Sequence, residues 1–335
     1  MLKVKISCAP AVQNLMRREA NHMRDLNPNI NFVFGDDDSG PFDWWVICHN
    51  TGLLETTTLN CDPENIVYVA MEPTETLAGT HFEFVNQFPI VVSTDESLQV
   101  RGKQVRRMGF NWWVGYEITH DGHTHRFGAP TLTASELAIL QPLEPKLNRI
   151  SFINSKKQTY PGHLFREQFV KELLNTPAGK YIDVFGGGNP IEDKLSAILP
   201  YRYHLAIEND QIRGYWTEKL GDAFLGLAHP LYLGAPDIYE YFSPTALTSL
   251  NGLSAQAAGE RILKLVESAP STECEAQLEE ARRRVLNDYS LFGIISSLVV
   301  RPAEKHAKVS LSPNLFFKNR MRYFASRAAR SLRNA

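Results

Sequence analysis

Short apolar runs, separated by turns and by stretches of helical spacing, recur along the whole chain. Leu2 to Cys8 alternate as a strand does, and Val12 to Leu26 place apolar side chains on one face of a helix. Ile30 to Phe34 predict a second strand, and Trp44 to Cys48 a third that is apolar throughout, as a strand covered on both faces must be. Ile66 to Met71 form another, ending at Glu72-Pro73; Phe88 to Ser93 and Phe110 to Val114 complete this set. Gly115 to Pro130 are polar and glycine-containing and predict a loop, and Thr133 to Leu140 predict a short helix. The periodicity breaks at Pro142 to Pro145 and then resumes. Arg149 to Asn154 and Tyr181 to Phe185 read as strands around a helix over Leu164 to Leu174, and Ala255 to Glu267 and Glu275 to Val299 read as helices. This alternation predicts mostly parallel sheets with helices on both faces. The expected division is an amino-terminal domain over 1–143, a second over 146–300, and a closing segment over 301–335.

One stretch, Tyr201 to Asp237, carries the chemistry. His204 to Ile207 end a buried strand, and Glu208, Asn209 and Asp210 stand just past its carboxyl end. Gln211 to Gly214 form a loop, and a helix is expected over Tyr215 to Leu227 with Leu220, Phe224 and Leu227 on one face. Pro230 to Leu233 are the next strand, and Gly234-Ala235-Pro236 turn the chain. Ligands of open α/β sheets sit beyond the carboxyl ends of the strands. A helix start there offers N–H groups and a positive dipole end to an anion. Lys219 adds a mobile cation suited to phosphate, and Glu218 and Asn209 can exchange hydrogen bonds with sugar hydroxyls. An anionic sugar nucleotide fits this set better than an inorganic ion or a peptide.

The same stretch resembles the signature of the α-1,3-fucosyltransferases, glycosyltransferase family 10. The matching residues are Glu208-Asn209, Tyr215-Trp216-Thr217-Glu218-Lys219 and Pro230-Leu231-Tyr232-Leu233-Gly234, with the spacings intact; Ile207 and Asp210 stand where the family usually has Phe and Ser or Thr. The resemblance implies the GT-B fold, two Rossmann-like domains facing a cleft with helices at the carboxyl end, and an inverting transfer of fucose from GDP-fucose to a glycan hydroxyl. An α-1,3 or α-1,4 linkage to N-acetylglucosamine or glucose, on an oligosaccharide or glycolipid, would follow. It assigns Glu72 as the base, against a solvated strand-end carboxylate as the plain alternative. Gly162 and Arg166 look like the family's second element, with Arg166 on the donor diphosphate beside Lys219. Asn209, Tyr215 and Glu218 would hold the ribose and the fucose. Glu208, Thr217, Tyr232 and Gly234 would shape the pocket, core packing being the alternative for Tyr232. The cations would replace a divalent metal, so no cofactor is required, although metal stimulation stays compatible.

Bulk properties narrow the partners. At 335 residues the chain suits two domains, and a net charge of −2 lacks the basic excess of a nucleic-acid binder. Cys8, Cys48, Cys61 and Cys274 show no C-x-x-C spacing and read as reduced structural residues. The first residues enter a strand directly, without an apolar leader or span, which looks more like bacterial family members that are cytoplasmic or lie on the inner membrane face. Surface-glycan or lipopolysaccharide synthesis, or protein glycosylation, is the expected setting. Asp36-Asp37-Asp38 read as a solvated turn rather than a metal site. His120, His123 and His125 read as part of an acceptor-side loop. Gly186-Gly187-Gly188 do not complete G-x-G-x-x-G and read as a turn near the nucleotide.

From Asn314 onward, Phe317, Met321, Phe324, Ala328 and Leu332 repeat at helical spacing among arginines and lysines with no acidic residue. Two compatible readings fit that tail: contact with an anionic membrane, or packing back on the protein. The rival functions are a same-fold transferase using another GDP-sugar, and a catalytically idle binder of sugar nucleotides or glycans.

Overall fold

The structure is a computed structural model and describes residues 1–35, 40–49, 52–72, 82–96, 98, 100–120, 125–142, 144–154, 161–186, 191–268 and 272–315. The acidic turn at Asp36 to Asp38, His123, Gly187, Gly188 and the basic tail from 316 lie outside them. The chain divides into two compact units. One comprises residues 1–13, 24–109 and 295–335; the other comprises 14–23 and 110–294.

In chain order the first unit contains β1 (Leu2–Ser7), part of α1 (Gln13–Leu26), β2 (Ile30–Phe34), β3 (Trp44–Cys48) and β4 (Thr57–Cys61). It continues with β5 (Ile66–Val69), α2 (Phe82–Val85), β6 (Ile90–Val92) and β7 (Lys103–Val105). Six strands form one sheet in the order β2-β1-β3-β5-β6-β7, every neighbouring pair parallel. All five side chains of β3 are buried, as its unbroken apolar run requires. Trp45, Tyr68 and Phe88 are fully buried in this unit's core, where each large side chain contributes roughly 1.5–3 kcal/mol.

The second unit contains β8 (Tyr116–His120), β9 (His125–Pro130), α3 (Ala134–Ala138), β10 (Leu147–Asn154), α4 (Pro161–Leu174), β11 (Ile182–Gly186) and α5 (Lys194–Ile198). After these come β12 (Tyr201–Ile207), α6 (Glu218–Leu225), β13 (His229–Leu233), β14 (Thr248–Ser249), α7 (Ala255–Glu267), α8 (Thr272–Arg284) and α9 (Leu291–Leu298). Its sheet has the order β11-β10-β12-β13-β14, again all parallel. Alternate side chains of each strand serve the two faces. Leu205, Ile207, Leu231 and Leu233 pack with α4 and α7, whereas Ala206 and Tyr232 pack with α5, α6 and α8. This is the doubly wound arrangement expected from the sequence. The chain leaves β10 toward β11 and returns across it to β12, so the strand order reverses between β10 and β12. That reversal opens a crevice at the carboxyl ends of these two strands.

Several expectations are corrected. Residues 110–143, expected in the amino-terminal domain, fold with the second unit, because Phe110, Trp112, Val114, Ala134 and Leu137 share a core with Leu220 and Phe224. Phe110 to Val114 are not a strand. Their backbone is held by side chains: Trp112 N donates to Glu19 Oε1 at 2.8 Å, Trp113 N and Val114 N to Asp222 Oδ1 at 2.9 and 3.3 Å, and Gly115 N to Asp193 Oδ1 at 3.0 Å. Arg18 donates in turn to the carbonyls of Trp112, Val114, Gly115 and Leu132 at 2.8–3.3 Å. The loop expected over Gly115 to Pro130 is instead the antiparallel pair β8–β9. The long helix expected over Glu275 to Val299 is broken. A single π-helical turn spans Val285–Tyr289, and an extended Ser290 caps α9 through Gly293 N at 3.1 Å.

Within α9, at Ile295, the chain returns to the first unit. β15 (Ala307–Leu311) pairs antiparallel with β4, and Arg301 O accepts from Trp44 Nε1 at 2.8 Å. None of Cys8, Cys48, Cys61 and Cys274 is joined in a disulfide. Among the described residues no helix is long and apolar enough to cross a membrane.

Candidate donor site

The crevice between β10 and β12 gathers most of the residues singled out from the sequence. β12 ends at Ile207, and Glu208 stands beyond it with only 1 % of its surface exposed. Its two oxygens have separate jobs. Oε1 accepts Thr217 N at 2.8 Å, and Oε2 accepts the Thr217 hydroxyl at 2.7 Å. One carboxylate therefore clamps the far end of the loop that leaves its own strand.

Thr217 is also the N-cap of α6, its hydroxyl accepting Lys219 N at 3.4 Å. The helix therefore starts at Glu218, three residues later than expected. Tyr215, expected on the ligand, is a fully buried side chain, as is Tyr232, and Trp216 is buried too. These aromatic residues build the loop's support: Trp216 packs edge-on against Tyr241, Phe242 and Tyr289.

Lys219 is held in place rather than mobile. Its Nζ lies 3.1 Å from Thr217 Oγ1, 3.1 Å from Glu218 Oε1 and 3.5 Å from Glu208 Oε2. Burial alone would raise Glu218; the fields of Lys219 and then Lys194, with hydrogen bonds from Lys219 and Thr217, outweigh it and hold the carboxyl at about 2. For Glu208 burial wins, and its carboxyl lies above the ordinary range despite Lys219. Burial would lower Lys219, but the two carboxylates raise it, Glu218 more than Glu208. Glu218 and Lys219 are thus the firm ion pair, while Glu208 is anchored by Thr217.

The opposite wall comes from α4. Arg166 is 6 % exposed, and its Nη1 reaches Asn209 Oδ1 at 3.4 Å. Burial lowers it, opposed by the fields of Glu208, Glu218 and Tyr215, so the guanidinium faces the same carboxylates as Lys219. Gly162 explains how α4 gets so close. A Cβ at that position would overlap the Asn209 carbonyl, well inside the 3.0 Å that real Cβ atoms keep. Gly234 plays a similar part after β13, where a Cβ would press on Tyr232 Oη and Glu208 Cγ. Its own N donates to Asn251 Oδ1 at 2.9 Å.

Glu72 belongs to the first unit, exposed at the bend beyond β5. It is not one of the crevice residues of the second unit. His120 and His125 are the paired ends of β8 and β9. Among the described residues no three His, Cys, Asp or Glu side chains are grouped to hold a metal ion.

Sequence reasoning missed Asp222 and Lys194. Asp222 interrupts the apolar face of α6, a signal that could have marked it. A cavity of about 240 Å³ also opens in this unit beside Tyr239, Tyr241 and α8. Its Arg284 is committed to Glu280 at 2.9 Å, so it suits a diphosphate less well than the crevice does.

A buried carboxylate and a partly exposed one beside two cations, at a helix start beyond a strand, suit a ligand that presents both hydroxyls and phosphate. No protein-family model matches the chain. Curated relatives do. An α-(1,3)-fucosyltransferase of Helicobacter pylori is 31 % identical over 64 residues, covering 19 % of this chain and 13 % of the relative. The α-(1,3)-fucosyltransferase 7 of Rattus norvegicus is 28 % identical over 192 residues, 54 % of this chain and 48 % of the relative. These relatives are α-1,3-fucosyltransferases. The chain spans about half of the rat enzyme's length and less of the bacterial one. Among solved structures, an α1,3-fucosyltransferase with GDP-fucose aligns at a TM-score of 0.47 and 17 % identity, covering 97 % of this chain and 89 % of that one.

Proposed function

We propose that this chain is an inverting glycosyltransferase that moves fucose from GDP-fucose to a hydroxyl of a glycan acceptor. The observation that carries the reading is that three separate pieces of the fucosyltransferase-like signature fold into one cradle. Glu208 clamps Thr217, Thr217 caps α6, Lys219 pairs with Glu218, and Arg166 meets Asn209.

In this reading Lys219 and Arg166 bind the diphosphate and neutralise GDP as the glycosidic bond breaks, the form of stabilisation that contributes most in many transferases. The start of α6 adds its dipole. Glu218 and Asn209 accept hydrogen bonds from ribose and fucose hydroxyls. Glu72 takes the proton of the acceptor hydroxyl, whose oxygen attacks the anomeric carbon in line while the bond to GDP breaks on the other side. No metal enters this scheme. The acceptor is an N-acetylglucosamine or glucose unit and the linkage α-1,3, on the strength of the sequence resemblance. The basic segment 314–335 provides contact with an anionic membrane surface, placing the enzyme on the cytoplasmic side.

Release of the nucleoside diphosphate, measured with GDP-fucose, GDP-mannose and UDP-galactose and with lactose or N-acetyllactosamine as acceptors, tests this. Release from GDP-fucose that depends on acceptor and is lost in Glu72→Gln supports it. Turnover of another nucleotide sugar, with none of GDP-fucose, would overturn the choice of donor and leave the cradle intact.

A further inference from the structure

Behind Glu218 lies a second ion pair that the reaction scheme does not use. Asp222 sits four residues further along α6, one helical turn below Glu218 and on the same side. It is 1 % exposed, and its Oδ2 takes Lys194 Nζ at 2.8 Å, a side chain that is itself only 12 % exposed. Lys194 is the first residue of α5, and its ammonium stands 4.4 Å over the ring of Trp113. The other oxygen of Asp222 accepts the backbone N–H groups of Trp113 and Val114. Three pieces of chain are thus tied at one carboxylate: the helix that begins the donor cradle, the start of α5, and the segment 113–114.

We propose that Lys194, seated by Asp222, is a positioning residue of the donor site that fixes the start of α6, where Glu218 receives sugar hydroxyls. The inference rests on the donor reading of the crevice and extends it to a residue outside the recognised signature. A buried ammonium held against α6 by an acid one turn from Glu218 cannot leave without exposing Asp222 as an unpaired buried charge. Its field reaches Glu218 next after that of Lys219. The other charges facing Glu218 are Glu208 beyond β12, Arg166 from α4 and Asp222 on its own helix. In the reaction scheme Lys219 and Arg166 both share their charge with the diphosphate, whereas Lys194 is committed to Asp222. When donor occupies Lys219, Lys194 is the cation left to hold Glu218 ionised.

The test compares the native chain with Lys194→Met, Lys194→Arg, Asp222→Asn and the double variant Lys194→Met/Asp222→Asn. The double variant keeps an oxygen for the N–H groups of Trp113 and Val114 and removes the unpaired charge, so it folds even where the single variant does not. The Glu218 carboxyl ¹³C shift is followed by NMR against pH, and GDP-fucose affinity is measured by titration calorimetry at pH 5 and pH 8. Loss of Lys194 moves the Glu218 titration upward by about one to three units. GDP-fucose binding then weakens by up to about twofold at pH 5, recovers at pH 8, and is native-like in Lys194→Arg. A folded double variant whose Glu218 titration equals that of Asp222→Asn alone, which already lacks the Asp222 charge, overturns the proposal. If the native chain binds no GDP-fucose, the donor reading fails instead, and the Glu218 titration still decides the role of Lys194.

Discussion

Gly162→Ala sets two physical effects against each other in one residue. Gly162 lies in the first turn of α4, and replacing a helical glycine by alanine ordinarily stabilises by up to about 1 kcal/mol. The added methyl group, however, would overlap the carbonyl oxygen of Asn209, which is backbone and cannot swing aside like a side-chain tip. Overpacking of this kind costs about 1–3 kcal/mol, and the rigid partner puts Gly162 at the upper end. Packing therefore wins, for a net loss of about 1–2 kcal/mol, a fall in Tm of roughly 3–6 °C for a unit of this size. Either α4 or the Asn209 loop must retreat, which separates Arg166 from Asn209 beyond their 3.4 Å contact. Loss of one such charge-assisted contact weakens GDP-fucose binding about tenfold. Thermal unfolding followed by circular dichroism and donor titration by calorimetry read both effects. A variant with raised Tm and native affinity would refute the close approach of α4 and the loop after β12.

Further outcomes follow from the same geometry. Lys219→Met, which removes the cation shared by Glu208 and Glu218, weakens GDP binding about tenfold to a hundredfold; native affinity in a folded variant would remove Lys219 from the site. His204 and His229 are held neutral by burial, at about 3 and about 4. Their folded values lie below the ordinary 6.5, so the stability they confer is present above pH 6.5 and lost as pH falls toward 4 and 3. Urea midpoints should drop over that window, and a flat response between pH 6.5 and 4 would contradict the burial assigned to both rings. Glu19 shows the opposite sign. Burial first, only partly offset by the Trp112 N–H, raises it to about 8, so its contribution is full below about pH 4.5 and lost as pH rises through 8. Glu19→Gln keeps an oxygen for Trp112 N and should gain stability relative to the native chain at pH 9 but not at pH 4.

Much of the cradle was legible because it is local. Strand end, acidic pair, capping threonine and lysine lie within thirteen consecutive residues, and their spacing fixes which side chains share a helix start. The start of α6 was misplaced because Tyr215 and Trp216 fit an apolar helical face, while the decisive bond, Thr217 to Glu208, spans nine residues. Residues 110–114 failed for a related reason. Their apolar run has strand composition, but Asp222, Asp193, Glu19 and Arg18 take their backbone groups, and partners some 80 to 110 residues away leave no trace in a window of sequence. Lys194 was silent on the same grounds: only the fold brings it to Asp222.

The side-chain scaffold around residues 112–115 bears on how the chain is made. Arg18 and Glu19 emerge from the ribosome some ninety residues before the backbone they hold, so α1 waits with two charged groups uncommitted. The first unit waits longer, since Thr58 meets Ser310 across 252 positions. Neither unit can close during synthesis of its own first segments, and loop closure over such spans slows assembly. Cutting the gene after codon 109 would give two fragments that each lack a piece of their own core. Neither fragment should fold when expressed alone, whereas co-expressing the two makes every partner available again.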